Sequence, residues 1–296
     1  MSNEHLITTF CSYFIVVIHY TLSLYLILYT RCSLPDTMKI ETLSDYASRN
    51  ETPEILFWVG CAGSFDERAQ KITRAVAKIL NHCKVRFAVL GTEESCTGDP
   101  AKRAGNEFLF QMQARSNIQV MNGYGVKKIV TACPHCFNTI KNEYPDLGGT
   151  YEVIHHSQMI QLLIDEGKLQ VSGGKFAGKK ITFHDPCYLG RGNDVYKAPR
   201  DVIEKLDVAF SEMKRSRQNG FCCGAGGAQM FKEPEKGNKD VNIERTEEAL
   251  ALKPDYIAVA CPFCMTMMTD GVKNFNKEGE VKVLDIAELI AQAGDL

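Results

Sequence analysis

At 296 residues the chain is long enough for about two domains, each burying its own core. Charged residues make up 24% and hydrophobic residues 45%, the balance of a globular protein in water. The net charge is −2 and lysines and arginines are spread along the chain, so the basic footprint of a nucleic-acid-binding protein is missing from the sequence.

Residues 1–37 differ from the rest of the sequence. The stretch 6–30 carries no Asp, Glu, Lys or Arg and is long enough to span a bilayer. One interpretation is a spurious extension, because Met38 offers a second start directly before the globular pattern. The other is a membrane anchor, and the basic residues that follow the stretch would then leave the main body in the cytoplasm. Residues 38–53 are predicted to be a linker.

From residue 54 onward, short apolar runs alternate with amphipathic stretches, which is the pattern of βαβ units. Strands are predicted over 54–60, 85–90, 127–132, 151–156, 179–185, 208–213, 255–260 and 281–285. Helices are predicted over 64–83, 100–121, 197–206, 238–252, 263–275 and 285–293, with Ser64 as N-cap of the first and Pro100 at the start of the second. The pattern predicts an α/β fold with parallel sheets.

Twelve cysteines are many for this length but too few for a small disulfide scaffold, which favours a reducing compartment and metal or redox chemistry. Eight of them form pairs between the two halves. The offset is 126 residues for Cys61–Cys187 and Cys96–Cys222, and 128 for Cys133–Cys261 and Cys136–Cys264. We interpret the chain as a tandem duplication of two small Rossmann-like domains, with a first cysteine-rich domain over 54–172 and a second over 173–296.

Each group of cysteines follows a predicted strand, and the carboxyl ends of parallel strands meet at one edge of a sheet. We therefore expect the thiols of each half to converge at the strand ends. Sites built from thiolates select zinc or iron–sulfur, and four thiolates in the first half fit either by count. In the second half Cys223 is a fifth thiolate, which is surplus for zinc but useful where one sulfur bridges two irons.

Two other interpretations compete with a cluster. The sequences CPHC and CPFC at predicted helix starts are typical of thioredoxin-like dithiol enzymes, because a helix N-terminus lowers the pKa of a thiol. This leaves without a role five other cysteines, namely Cys61, Cys96, Cys187, Cys222 and Cys223. Buried cysteines can also be plain small hydrophobes, which suits Cys83 at the end of a helix better than the eight repeated cysteines and Cys223.

The second half contains three motifs, HDPCYLGR (184–191), FCCGAGGAQM (221–230) and ACPFCMTMMTDG (260–271). The first half contains weaker copies of them, WVGCAG, ESCTGDPAKRAGNE and ACPHCFNT. On these motifs, residues 54–296 resemble the cysteine-rich CCG domain proteins. That family includes the B and D polypeptides of heterodisulfide reductase and the iron–sulfur components of glycolate, lactate and glycerol-3-phosphate oxidation systems.

The resemblance implies ligands for two sites. In the second half Cys187, Cys222, Cys223, Cys261 and Cys264 would bind a 4Fe–4S cluster, which in the heterodisulfide reductase branch is a non-cubane centre that cleaves a disulfide. In the first half Cys96 stands where the full motif has two cysteines. The resemblance there implies an ordinary 4Fe–4S cluster on Cys61, Cys96, Cys133 and Cys136.

The chain looks most like heterodisulfide-reductase-related proteins tied to electron-transferring flavoprotein and fatty-acid oxidation. It has no ferredoxin-type C-x₂-C-x₂-C-x₃-C-P run, so the resemblance implies a separate ferredoxin-like or flavoprotein subunit. We expect an iron–sulfur subunit of a cytoplasmic or membrane-associated oxidoreductase, relaying electrons between such a partner and a quinone or disulfide. The alternatives are a disulfide reductase acting at the five-cysteine site and a non-catalytic zinc protein.

Three polar residues near Cys187 are candidates for supporting roles. His184 would donate a hydrogen bond or proton near a cluster and tune its potential, or would pair with Asp185 to fix the loop. Arg191 is a candidate for neutralising the negative charge of a cluster or for binding an acidic substrate. The histidines at 155–156 are expected at a strand end and not on a metal.

Overall fold

Each half of the protein builds a four-stranded parallel sheet. A computed structural model describes residues 40–233 and 236–296. The first sheet contains β1 Ile55–Trp58, β2 Phe87–Ala88, β3 Lys128–Thr131 and β4 Glu152–His155, in the order β2-β1-β3-β4. The second contains β5 Lys180–Phe183, β6 Ala209–Phe210, β7 Tyr256–Val259 and β8 Lys282–Asp285, in the order β6-β5-β7-β8. The predicted α/β fold with two small parallel sheets is confirmed.

Helices form the connections that parallel strands require. In the first half they are α1 Leu43–Ser48, α2 Gly60–Phe65, α3 Glu67–His82, α4 Asp99–Arg103, α5 Glu107–Gly123, α6 Pro134–Asn138 and α7 His156–Asp165. In the second they are α8 Lys197–Glu204, α9 Val241–Leu250, α10 Pro262–Asn274 and α11 Ile286–Ala293. The helix α1 falls within the predicted linker. The stretch 6–30 and both interpretations of it lie outside the described residues, and no helix among residues 40–233 and 236–296 is long and apolar enough to cross a membrane.

Two predicted helices are each divided in two. The helix expected over 64–83 with Ser64 as N-cap is wrong at its start, because Asp66 has extended backbone and its carboxylate caps α3. The helix expected over 100–121 is interrupted between α4 and α5, where Gly105 has a φ of 86°. The edge strands β2 and β6 are also shorter than the apolar runs that predicted them, at two residues each.

The pairing of strands repeats the spacing of the cysteines. Leu56 lies opposite Ile129 in the first sheet, and Thr182 lies opposite Ile257 in the second. Leu56 and Thr182 are 126 residues apart, and Ile129 and Ile257 are 128 residues apart. These are the same offsets that separate the paired cysteines. The duplication seen in the cysteines is therefore also a duplication of strand register, while the boundary between 172 and 173 stays a prediction.

A buried polar chain connects the two sheets. His156 Nδ1 lies 3.1 Å from His155 Nε2, and His156 Nε2 lies 2.8 Å from Asp285 Oδ1. His155 ends β4 and Asp285 ends β8, and all three side chains are 0% exposed. Asp285 also caps α11, because its carboxylate accepts a hydrogen bond from the amide of Ala287. As predicted, the two histidines lie at a strand end.

Candidate metal centre

All nine cysteines predicted to be ligands lie at the carboxyl ends of the strands. In the first half Cys61 is in α2 directly after β1, Cys96 is in the loop after β2, and Cys133 and Cys136 begin α6 after β3. In the second half Cys187 follows β5, Cys222 and Cys223 follow β6, and Cys261 and Cys264 begin α10 after β7. Pro134 and Pro262 occupy the first turns of α6 and α10, where a missing amide hydrogen costs nothing and the fixed φ favours the helix. The predicted convergence at the strand ends is observed in both sheets.

Two equivalent glycines bring backbone amides onto the loop cysteines. Gly98 has a φ of 87° and its amide lies 3.5 Å from Cys96 Sγ. Gly224, 126 residues later, has a φ of 91° and its amide lies 3.2 Å from Cys222 Sγ. A side chain at either position would strain this backbone. Each amide therefore favours the thiolate form of the cysteine two residues before it.

Seven of the nine cysteines form one chain of neighbouring thiols that runs through both halves, and Cys61 and Cys96 form a separate pair. The Sγ atoms of Cys223 and Cys264 are 3.4 Å apart. Five further pairs lie close enough for one thiol to shift the pKa of the other, namely Cys61 and Cys96, Cys133 and Cys136, Cys187 and Cys222, Cys222 and Cys223, and Cys261 and Cys264. Between the halves, the thiols of Cys133 and Cys261 are near enough that each shifts the pKa of the other. The four-cysteine and five-cysteine sites are thus adjacent.

These contacts separate the pKa values of neighbouring thiols. Contacts with Cys187 and Cys223 lower the pKa of Cys222 to about 2, and contact with Cys222 raises the pKa of Cys223 to about 12. In the first half the pKa of Cys133 is held well below its ordinary value by Cys136, whose own pKa is raised well above it by the same contact. Cysteines bind metal as thiolates, so a cation held by these groups would displace the protons that the thiols of higher pKa still carry.

His184 lies beside the five-cysteine site. A ring nitrogen of His184 and the Sγ atoms of Cys223 and Cys264 all lie within 4.8 Å of one another. The imidazole is 0% exposed, and burial followed by the charge of Arg245 lowers its pKa to about 3. Its neutral ring can serve as a metal ligand or as a hydrogen-bond donor, depending on which nitrogen carries the hydrogen.

Asp185 and Arg191 have separate partners. The carboxylate of Asp185 accepts two hydrogen bonds from Arg200, at 2.8 and 2.9 Å, so this buried ion pair holds the loop instead of a His184–Asp185 pair. The guanidinium of Arg191 is exposed and donates to Cys187 Sγ at 2.9 Å. Arg191 therefore stands at the solvent edge of the five-cysteine site, as charge neutralisation or anion binding would require.

The donor set fits iron–sulfur better than zinc. Nine thiols come together without a carboxylate among the predicted ligands, and five of them belong to the second half. Zinc is satisfied by four ligands in a tetrahedron. A fifth sulfur in contact with its neighbour, as Cys222 and Cys223 are, is explained by a centre that contains several metal ions.

The family model for the cysteine-rich domain, CCG, matches the chain twice, at residues 55–141 and 181–269. Together these ranges cover more than half of the sequence. The chain belongs to the CCG cysteine-rich domain family.

Several relatives of this CCG protein are named as oxidoreductases or as parts of reductases. The "Probable iron-sulfur-binding oxidoreductase FadF" of Bacillus subtilis is 47% identical over 264 residues, which is 89% of this chain and 37% of the relative. The EtfAB:quinone oxidoreductase of Syntrophomonas wolfei is 45% identical over 246 residues, 81% of this chain and 34% of the relative. The D polypeptide of a heterodisulfide reductase from Methanosarcina barkeri is 34% identical over 267 residues, 88% of this chain and 61% of the relative. The chain spans about a third of the length of the first two relatives.

Sequence reasoning missed several residues that surround the CCG sites. The ring centroid of His135 lies 4.5 Å from that of Tyr188 and 5.1 Å from that of Phe263. Aromatic side chains of both halves therefore meet beside the thiols. Arg245 is buried at 0% exposure although it stands in a helix rich in charged residues. Trp58 could have been recognised from the sequence as the first-half counterpart of His184, because the two residues are separated by the repeat offset of 126.

Proposed function

We propose that the chain is the cluster-bearing, electron-transferring part of an oxidoreductase. The observation that carries this proposal is the nearness of the two sites: the thiols of Cys133 and Cys261 shift each other's pKa, and the rings of His135 and Phe263 pack beside them with centroids 5.1 Å apart. Electronic coupling falls steeply with distance, and clusters bound at neighbouring sites would exchange electrons rapidly. A structural zinc protein has no need for two adjoining thiol sites.

Each site would hold one cluster. We assign a 4Fe–4S cluster of non-cubane type to Cys187, Cys222, Cys223, Cys261 and Cys264, because the contact between Cys222 and Cys223 puts a fifth thiolate in place. We assign an ordinary 4Fe–4S cluster to Cys61, Cys96, Cys133 and Cys136. When bound, such clusters supply one-electron chemistry, and the chain contributes the ligands, the amides of Gly98 and Gly224, and the exclusion of water.

The proposed partners follow from the names of the relatives. EtfAB:quinone oxidoreductase names an electron-transferring flavoprotein and a quinone, and this chain spans 34% of that relative. We propose that a flavoprotein or a ferredoxin-like module stands on one side of the relay and a quinone on the other. A quinone acceptor lies in a membrane, so the chain would act at its cytoplasmic face.

Reduction of a disulfide at the five-cysteine site is the second candidate. Arg191 beside the half-buried thiol of Cys187 gives that site an open, positively charged edge. One relative of this chain is named as part of a heterodisulfide reductase. A disulfide with acidic substituents is the class of substrate that such an edge would accept.

A rapid-mixing experiment on the full chain, purified without oxygen, distinguishes these candidates. The protein is reduced with dithionite, freed of excess reductant, and mixed with a water-soluble quinone analogue or with an anionic disulfide. We expect reoxidation by the quinone, followed as recovery of visible absorbance. If only the disulfide reoxidises the protein, the second candidate is correct, and a protein without visible absorbance contradicts both.

A further inference from the structure

His184 and Arg245 form a buried pair at the five-cysteine site. Both side chains are 0% exposed, and Arg245 Nε lies 2.9 Å from His184 Nδ1. Arg245 is held in α9 by the carbonyl oxygen of Arg215 at 2.8 Å and by the carboxylate of Glu248 at 3.0 Å. The guanidinium is therefore fixed before any ligand binds.

This contact determines the tautomer of the imidazole. The Nε–H of an arginine can only donate a hydrogen bond, so His184 Nδ1 must offer a lone pair to Arg245. The ring hydrogen is consequently on Nε2. A histidine that binds metal through Nε2 needs its lone pair there and usually donates from Nδ1. Arg245 thus makes His184 a hydrogen-bond donor at Nε2 and prevents it from being a neutral metal ligand.

The Nε2–H group of His184 is buried and lacks a hydrogen-bond acceptor among the described residues. The nearby candidates are sulfur atoms, since Cys223 and Cys264 lie within 4.8 Å of a ring nitrogen. A buried donor without an acceptor destabilises the fold, and a sulfur atom of the site is the acceptor that would satisfy it.

The first half has an equivalent donor of different chemistry. Trp58, 126 residues before His184, is 0% exposed, and its Nε1 has no partner among the described residues. A β-carbon added at Gly60 would lie 3.9 Å from Trp58 Nε1 and 3.2 Å from Cys136 Sγ. The indole N–H and a ligand thiol therefore flank the same glycine. The duplicated position carries a buried N–H donor at both sites although the residue type has changed.

We propose that Trp58 Nε1–H and His184 Nε2–H are hydrogen-bond donors to sulfur, one for each cysteine site, with Arg245 as the positioning residue that fixes the His184 tautomer. Hydrogen bonds to sulfur stabilise the extra negative charge of the reduced state and raise the reduction potential. This inference rests on the proposed function, because it concerns the clusters assigned above. It adds that each half supplies its own N–H donor, which raises the reduction potential of the cluster in that half.

Redox titration of the full chain, followed by electron paramagnetic resonance, tests the proposal. His184→Phe and Trp58→Phe each remove an N–H donor and keep an aromatic ring. Each variant is expected to retain its iron and to lower the potential of one site, leaving the other unchanged. A tenfold change in the reduction equilibrium corresponds to 59 mV for one electron. Tyr256→Phe, which removes a hydroxyl outside the sites, is the matched control and should leave both potentials unchanged.

Hyperfine spectroscopy of the protein labelled with ¹⁵N-histidine gives a second answer that does not depend on the redox titration. A weak nitrogen coupling that disappears in His184→Phe is expected for N–H···S donation, and Arg245→Met should alter it. A strong coupling would show direct coordination by nitrogen and overturn the tautomer argument. Unchanged potentials in both variants with intact iron would also overturn the proposal. A parent protein without iron would instead overturn the proposed function on which it rests.

Discussion

The buried chain between the two sheets gives the sharpest prediction about stability. In the variant His156→Leu, the carboxylate of Asp285 loses the nitrogen that lies 2.8 Å from Oδ1 and keeps the amide of Ala287. Its Oδ2 already has no hydrogen-bond partner among the described residues. Asp285 is 0% exposed, so water cannot replace the lost contact. We expect a large destabilisation from this single change.

The magnitude follows from the burial of the charge. Removing one partner of a buried pair costs about 3–5 kcal/mol, because the remaining charge is uncompensated. For a domain of this size, each kcal/mol lowers the melting temperature by about 2–4 °C. Taking the lower cost, about 3 kcal/mol, we expect His156→Leu to melt about 6–12 °C below the parent protein.

Thermal unfolding followed by circular dichroism is the assay, with parent and variants in the same cluster-loaded state. The double variant His156→Leu/Asp285→Asn removes the buried charge as well as its partner, so it should regain part of the loss. The expected order of melting temperatures is parent, double variant, His156→Leu. A His156→Leu protein that melts within about 2 °C of the parent, the shift expected for less than 1 kcal/mol, would refute the reasoning. A double variant less stable than the single one would refute it as well.

Three further predictions concern packing, a buried ion pair and the metal. Gly271→Ala should lower the free energy of unfolding by about 1–3 kcal/mol in urea titrations, because the new β-carbon would lie 2.0 Å from Thr246 Oγ1, whereas Gly123→Ala has open space and should be neutral. Equal midpoints for the two would contradict this. Arg200→Met should cost about 3–5 kcal/mol, since it leaves the carboxylate of Asp185 uncompensated, and a loss below about 1 kcal/mol would contradict it. Stripping bound metal with a chelator without oxygen should lower the melting temperature, because thiols gathered only in the folded state stabilise it through binding, and an unchanged value would argue against occupied sites.

The repeated cysteines made most of the fold predictable. They report strand ends, and strand ends of a parallel sheet must share an edge, so positions such as Cys61 and Cys133 could be placed together without coordinates. The divided helices were not predictable from periodicity. An extended residue at Asp66 and a positive φ at Gly105 interrupt the backbone while leaving the apolar pattern almost intact.

Contacts between distant parts of the chain account for what the sequence could not show. Arg245 lies 61 residues from His184, and nothing in a charged helical pattern indicates that an arginine turns inward. The nearness of the Cys133 and Cys261 thiols depends on how the two sheets are held together. His156 and Asp285, 129 residues apart, fix that arrangement from the inside.

The most direct test of the central claim is the quantity of iron and acid-labile sulfide bound by each chain purified without oxygen. Two adjoining 4Fe–4S clusters on nine cysteines predict about eight irons and about eight sulfides per chain. A colourless protein that contains one or two zinc ions and no sulfide would contradict the account.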